Sequence, residues 1–209
     1  MRLATPIAAA VGCMLFAVAK PGMAQSSGPS PLRPERDVAV TYRHPGAMPT
    51  GFPELQTRTF IAASSQRQRF ENAGLVAIVD PQARRRYMFI LNRQDPASGI
   101  VTEQDTNDEM SLDEIAADPD FRVTRLGEAR FGDIPCRLWR VALLQALNDE
   151  AQTICVSQDG LQLMSEITRQ GVTERTEAVR VEYGPLDPAL FALPAGWPVR
   201  RQGAGPAPR

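Results

Sequence analysis

Lysine is all but missing from this chain: Lys20 is the only one, so every other basic side chain is an arginine. Histidine is equally scarce, with His44 alone among 209 residues, and only three cysteines are present. These shortages exclude a good deal of chemistry. A zinc site needs about four nitrogen or sulfur ligands at compact spacing, and one histidine with Cys136 and Cys155 nineteen positions apart matches no such pattern. A triad built on His44 needs a nucleophile and an orienting acid, yet there is no G-x-S-x-G run. His44, in Arg43-His44-Pro45-Gly46 just past an apparent strand, reads as a turn histidine. No catalytic residue is assigned, and neither a metal nor a cofactor is expected.

What is present begins with an address. One arginine, an apolar run from Ile7 to Ala19, the helix-breaking Pro21 and the small residues Gly22-Met23-Ala24 form a secretory leader, with cleavage expected near Ala24. Thirteen apolar residues rise only about 20 Å as a helix, short of the roughly 30 Å hydrocarbon core, which argues against a retained anchor. Cys13 sits inside the apolar run, which continues through Met14, Leu15 and Phe16, so it is filler rather than a lipidation site. The expected destination is the periplasm, with secretion as the alternative. An exported protein works without nucleotide cofactor pools.

The expected layout follows: leader 1–24, a disordered segment 25–35, one domain over 36–199 and a disordered tail 200–209. Arg2 and Lys20 fall in the leader, so 21 of the 23 basic side chains meet 24 acidic ones, a net charge of −3. That balance attracts neither nucleic acid nor an anionic membrane. In an oxidising compartment the remaining even pair, Cys136 and Cys155, reads as a disulfide, with two buried free thiols as the alternative. One tension stands. Cysteines facing each other across a hairpin would centre it near Gln145 and Ala146, whereas the best turn residues are Asn148 and Asp149; a bulge would reconcile the two.

The dominant pattern is a period of two broken by turns every eight to twelve residues, which predicts a mostly antiparallel sheet. Strands are expected over 37–43, over one extended stretch from Arg58 through Glu71, and over 75–80, 85–91, 121–128, 136–144, 153–157, 161–168 and 174–183. Turns are expected at Asn72-Ala73-Gly74, Asp80-Pro81-Gln82-Ala83 and Asp159-Gly160. Asp95 to Met110 reads as a polar loop. A short helix starts at Ser111, where Ser111-Leu112-Asp113-Glu114 has the form of a capping box, and a helical turn covers Asp187 to Phe191.

Two strands, Leu75-Val76-Ala77-Ile78-Val79 and Tyr87-Met88-Phe89-Ile90-Leu91, are apolar on both faces. An antiparallel sheet normally shows water one face, so something covers the second face here. The Ser111 helix and loops, or an apolar ligand, both satisfy that. Under the second reading Val76, Ile78, Met88, Phe89 and Ile90 are the candidate lining. The acidic stretch Asp105 to Glu109 lacks the glycine and glutamate of a calcium loop and reads as solvated, and Arg84-Arg85-Arg86 reads as the wet end of a hairpin. Trp139, mid-strand beside a cysteine, reads as core.

The closing run Asp187-Pro188-Ala189-Leu190-Phe191-Ala192-Leu193-Pro194-Ala195-Gly196-Trp197 resembles the ending of LolA-like periplasmic proteins and of uncharacterised exported families in that style. Gly132-Asp133-Ile134-Pro135-Cys136, followed by Trp139, resembles the related families too. The resemblance implies a mainly β fold with short helices: a strongly curved, unclosed antiparallel half-barrel whose concave face is covered by short helices. It also implies a binding or carrier module for an apolar or acyl ligand, the role the carrier itself plays for lipoprotein acyl chains. The alternative is a protein-interaction or envelope-stress sensing domain with a packed core, whose sheet edges and Asp105–Glu109 loop meet another envelope protein. A hydrolase is the remote third. The sequence is silent on oligomeric state.

Overall fold

A computed structural model describes residues 33–45, 54–91, 98–106, 112–144, 151–169 and 171–202. Residues 1–32, 46–53, 92–97, 107–111, 145–150, 170 and 203–209 lie outside the described residues, and with them the expected leader and the Ser111 cap.

The described residues form twelve strands: β1 Val38–His44, β2 Leu55–Ile61, β3 Gln68–Asn72, β4 Leu75–Asp80, β5 Arg85–Ile90, β6 Val101–Asp105, β7 Phe121–Phe131, β8 Ile134–Leu143, β9 Ala151–Ser157, β10 Gln162–Arg169, β11 Val172–Tyr183 and β12 Val199–Arg201. They make one open sheet in the order β12-β6-β5-β4-β3-β2-β1-β11-β10-β9-β8-β7. Two meanders of sequential hairpins, β1–β6 and β7–β11, are therefore joined where β1 pairs with β11, Val38 opposite Tyr183. Every pairing is antiparallel except the last, where β12 runs parallel to β6.

The turns follow their chemistry. At Asn72–Leu75 the two central residues take positive φ, Ala73 at 47° and Gly74 at 92°, the demand of a tight hairpin. At the β4–β5 turn the Ala83 amide donates to Asp80 Oδ1 (2.9 Å) and Arg67 Nε donates to Asp80 Oδ2 (2.8 Å). Burial pushes the Asp80 carboxyl up, but these donors outweigh it and hold it below the usual carboxylate range.

Three expectations need correction. The stretch from Arg58 through Glu71 is not one strand: the chain reverses at 62–67, where the Ala62 amide donates to the Arg67 carbonyl, and β2 pairs with β3. Within the expected loop 95–110 lies β6, hidden because Val101 is its one apolar residue. It is held instead by charge across the ladder, with Arg85 paired to Glu103 (2.9 Å) and to Asp105. Arg85 is thereby spent within the sheet, and β12 adds Arg201 against Asp105 (3.1 Å) two residues into the stretch read as a tail.

Cys136 and Cys155 form the expected disulfide, and neither free thiols nor a bulge between β8 and β9 is needed to bring them together. Cys136 stands opposite Ser157 and Leu138 opposite Cys155, so the two cysteines are diagonal neighbours on one face of β8 and β9. The connecting turn falls within 145–150, outside the described residues, and the Cα atoms of the bridged pair are 5.6 Å apart, within the range a disulfide spans. Both are buried in the central core beside Val38, Val40, Leu161 and Leu163.

Two smaller clusters cover opposite faces at opposite ends. Helix α1, Leu112–Ala117, lies over β7–β9 and inserts the fully buried Leu112 among Trp139, Ile154 and Val156. At the other end the closing segment folds back over Val76, Ile78, Phe89 and Val101, with Trp197 edge-on to Phe89 at 5.9 Å between ring centres. Asp187 caps the helical turn Pro188–Phe191 by accepting from the Ala189 amide, and the buried Arg69 donates to the Leu190 carbonyl (2.8 Å), which pins that turn to β3.

Candidate functional site

The sheet curls enough that strands five places apart face one void. Side chains of β1 to β4 and the adjacent Thr176 of β11, with Leu161 and Gln162, line a cavity of about 550 Å³ on the inner face. Such a volume sits in the usual range for a small-molecule or single-chain ligand site.

The cavity exists because the inner-face side chains in the middle of the sheet are small. Register brings Tyr42 opposite Thr57, Thr59 opposite Phe70, and Phe70 opposite Ala77. Two threonines and an alanine cannot fill the space that Trp139, Ile154 and Leu112 fill at the β7–β9 end. One half of the inner face is thus packed under α1, and the other half is open.

The two ends of the cavity differ. At one, Arg33 and Pro34 cross the opening, held by the next residues: the Glu35 amide donates to the Asp159 carbonyl, and Arg36 pairs with the Asp159 carboxylate (3.1 Å) while lying 4.0 Å over the Tyr183 ring. At the other end His44 is held between two hydroxyls, Nε2 with Thr57 Oγ1 at 3.0 Å and Nδ1 with Thr176 Oγ1 at 3.1 Å. Burial pushes the His44 pKa below its ordinary value, with Glu54 opposing, so the ring is neutral at neutral pH. No carboxylate orients either ring nitrogen, so the ring lacks the partner a general base needs. Asn72 also lines this end, and its buried Oδ1 has no hydrogen-bond partner.

The candidate lining residues divide between the faces. Val76 pairs with Phe89, and both pack with Ile78 under Trp197 on the outer face. Met88 pairs with Ala77 and Ile90 with Leu75, which puts them on the cavity's side, one strand beyond its β4 wall. Strand β4 meets the void through Leu75, Ala77 and Val79 instead. The cover sought for the doubly apolar strands is therefore the closing segment outside and the cavity within, while α1 lies over β7–β9. Thr57, Thr59 and Phe70 carried no signal as site residues, since alternation marks two faces without saying which is concave. Among the described residues no group of three His, Cys, Asp or Glu side chains is placed to hold a metal ion.

A single open, curved antiparallel sheet with a helix on its inner face is a LolA-like half-barrel. No protein-family model and no curated protein matches the sequence. Solved structures do match in shape. A chain of the Pseudomonas aeruginosa MucA/MucB complex overlaps 77% of this chain at 15% identity with a TM-score of 0.52, and PNGF-II overlaps 81% at 15% identity with a TM-score of 0.50. A LolA superfamily protein of Nitrosomonas europaea overlaps 77% of this chain and 91% of its own length, at 8% identity and a TM-score of 0.34. The chain spans 57% of the matched chain of the MucA/MucB complex and 31% of the PNGF-II chain. At these identities the likeness is one of fold alone.

Proposed function

We propose that this protein is an exported, periplasmic binding or carrier module that holds an apolar or acyl chain in the inner-face cavity. The observation that carries this reading is the cavity itself: about 550 Å³ with Ile61, Phe70, Leu75, Ala77 and Val79 among its walls. A packed core would have had no such space. Apolar surface continues past the rim, where Leu75 is 45% and Ile90 66% exposed, giving a longer chain somewhere to lie. The buried Cys136–Cys155 bridge suits an oxidising compartment. The test is delipidation and titration of the purified protein with a fluorescent C12–C16 fatty acid: saturable, one-to-one binding lost in a cavity-filling Ala77→Trp variant is expected. If no lipid co-purifies and no probe binds, the reading is wrong.

A second reading, protein interaction, is supported by the sheet edge. β7 is eleven residues long and ends the sheet with its outer backbone groups unpaired by any strand among the described residues, a template for an added strand. MucB, whose fold this chain shares, has been solved in complex with MucA. Site-specific crosslinking from β7 in periplasm tests it; the reading fails if no single adduct recurs.

A further inference from the structure

The described sheet has two edges, and only one of them is blunted by its length. β12 ends it with three residues, too short to offer an added strand much of a ladder. β7 ends it with eleven, about twice the usual strand length of about five or six. A register shift between Arg125 and Gly127 interrupts β7, so Phe121–Arg125 is an unbroken half of it. The two faces of that half differ. Phe121 stands opposite Leu143 and Val123 opposite Val141, an apolar row on the face that α1 covers. On the other face Arg122 stands opposite Ala142 and Thr124 opposite Arg140, which makes Arg122 and Arg140 diagonal neighbours. Both arginines are exposed, and neither has an ion-pair partner among the described residues.

Charge then selects among the occupants of this edge. The β7–β8 hairpin, 121–143, carries five arginines against two acids, Glu128 and Asp133, in a chain whose whole balance is −1. Arg125 already holds Glu128 (2.9 Å), which leaves the excess at Arg122 and Arg140 on the opposite face. A second copy of β7 would bring the same positive charge to the ladder, and like charges set side by side oppose pairing. A lipid headgroup would meet the charge but supplies no backbone for the free N–H and C=O row. We propose that the Phe121–Arg125 edge receives an extended acidic segment of a partner protein as an added strand. Its carboxylates, at alternate positions, face Arg122 and Arg140, and its apolar residues extend the row of Phe121 and Val123. This inference rests on the protein-interaction reading and specifies the partner chemistry that reading leaves open.

The experiment titrates the purified protein, by fluorescence anisotropy, with a labelled octapeptide alternating glutamate and valine and with its lysine–valine counterpart. At about 50 mM salt the acidic peptide is expected to bind at least about tenfold more tightly, and the contrast should shrink at about 500 mM. N-methylating every amide of the acidic peptide keeps its charge but removes its ladder donors, and should abolish binding. Arg122→Glu with Arg140→Glu should reverse the preference. If that variant fails to fold, as judged by circular dichroism, Arg122→Gln with Arg140→Gln should remove it. A preference that survives either folded variant, or an N-methylated peptide that binds as tightly, overturns the proposal. So does an unbound peptide alongside phosphatidylglycerol vesicles held through the two arginines. If the peptides fail while crosslinking from β7 still yields one recurring adduct, the acidic strand falls and the interaction reading stands; if neither occurs, both fall.

Discussion

Replacing Trp197 by alanine should cost this domain about 4 kcal/mol, although the residue lies at the far end of the chain from most of what it covers. The indole is 7% exposed and roofs Val76, Ile78, Phe89 and Val101, none more than 3% exposed. A buried tryptophan removes about 150–250 Å² from water, worth about 4–6 kcal/mol at 25 cal/mol/Å². Residual burial in the unfolded chain trims that figure by about 10–40%, and the edge-on ring pair with Phe89 returns about 1 kcal/mol. With a urea slope of about 2 kcal/mol/M the midpoint falls by about 2 M. Gly99 supplies an internal check: a Cβ there would stand 2.2 Å from the Trp197 ring, so Gly99→Ala must push the same indole away. The two substitutions should be far from additive, Gly99→Ala costing little once the indole is gone. A Trp197→Ala midpoint shift below about 0.5 M, or full additivity with Gly99→Ala, would falsify the assignment of the closing segment as the outer cover.

Other outcomes follow from the same geometry. Reducing or deleting the Cys136–Cys155 bridge, which closes a loop nineteen residues apart in sequence, should lower unfolding stability by about 3 kcal/mol, read as a urea midpoint with and without reductant. His44 has a depressed pKa in the fold, so its contribution is complete above its unfolded value of 6.5 and is lost as pH falls from there toward the folded value. His44→Gln should flatten stability between pH 7 and 5, and an unchanged profile would show that the ring is solvated. Glu177 titrates lower: burial pushes its carboxyl up, but Arg43 and Arg175 outweigh this and depress it, so its stabilisation is lost only as pH falls below the usual glutamate range. Glu177→Gln should weaken the acid-limb transition. Ala77→Trp should fill void rather than displace packing, changing stability by less than about 1 kcal/mol while removing probe binding.

Much of the sheet was legible because antiparallel hairpins are local: β4, β5 and their turn at Asp80–Ala83 are written in alternation and turn residues a few positions apart. The reversal at 62–67 was not, since Ala62 to Arg67 contains neither glycine nor proline and the turn rests on Gln66 at a φ of 56°. Nor was β6, whose pairing depends on Arg85, 20 positions from Asp105, and on Arg201, 96 positions from it. Of the site, the polar end contains His44, whose Arg-His-Pro-Gly context is that of a turn although it closes β1, and its partners Thr57 and Thr176 lie 13 and 132 positions away.

Composition and periodicity alone determined that this is a sheet-rich domain without the histidines and nucleophile motifs of common catalytic or metal sites, whose two late cysteines were placed to pair. Those properties are local, resting on side-chain type and spacing of two. Only the tertiary structure decided which face of each strand is concave. The curl that answers it is accumulated over twelve strands, and it sent Val76, Ile78 and Phe89 under Trp197 while leaving Thr57, Thr59 and Ala77, too small to close the gap, around an open space.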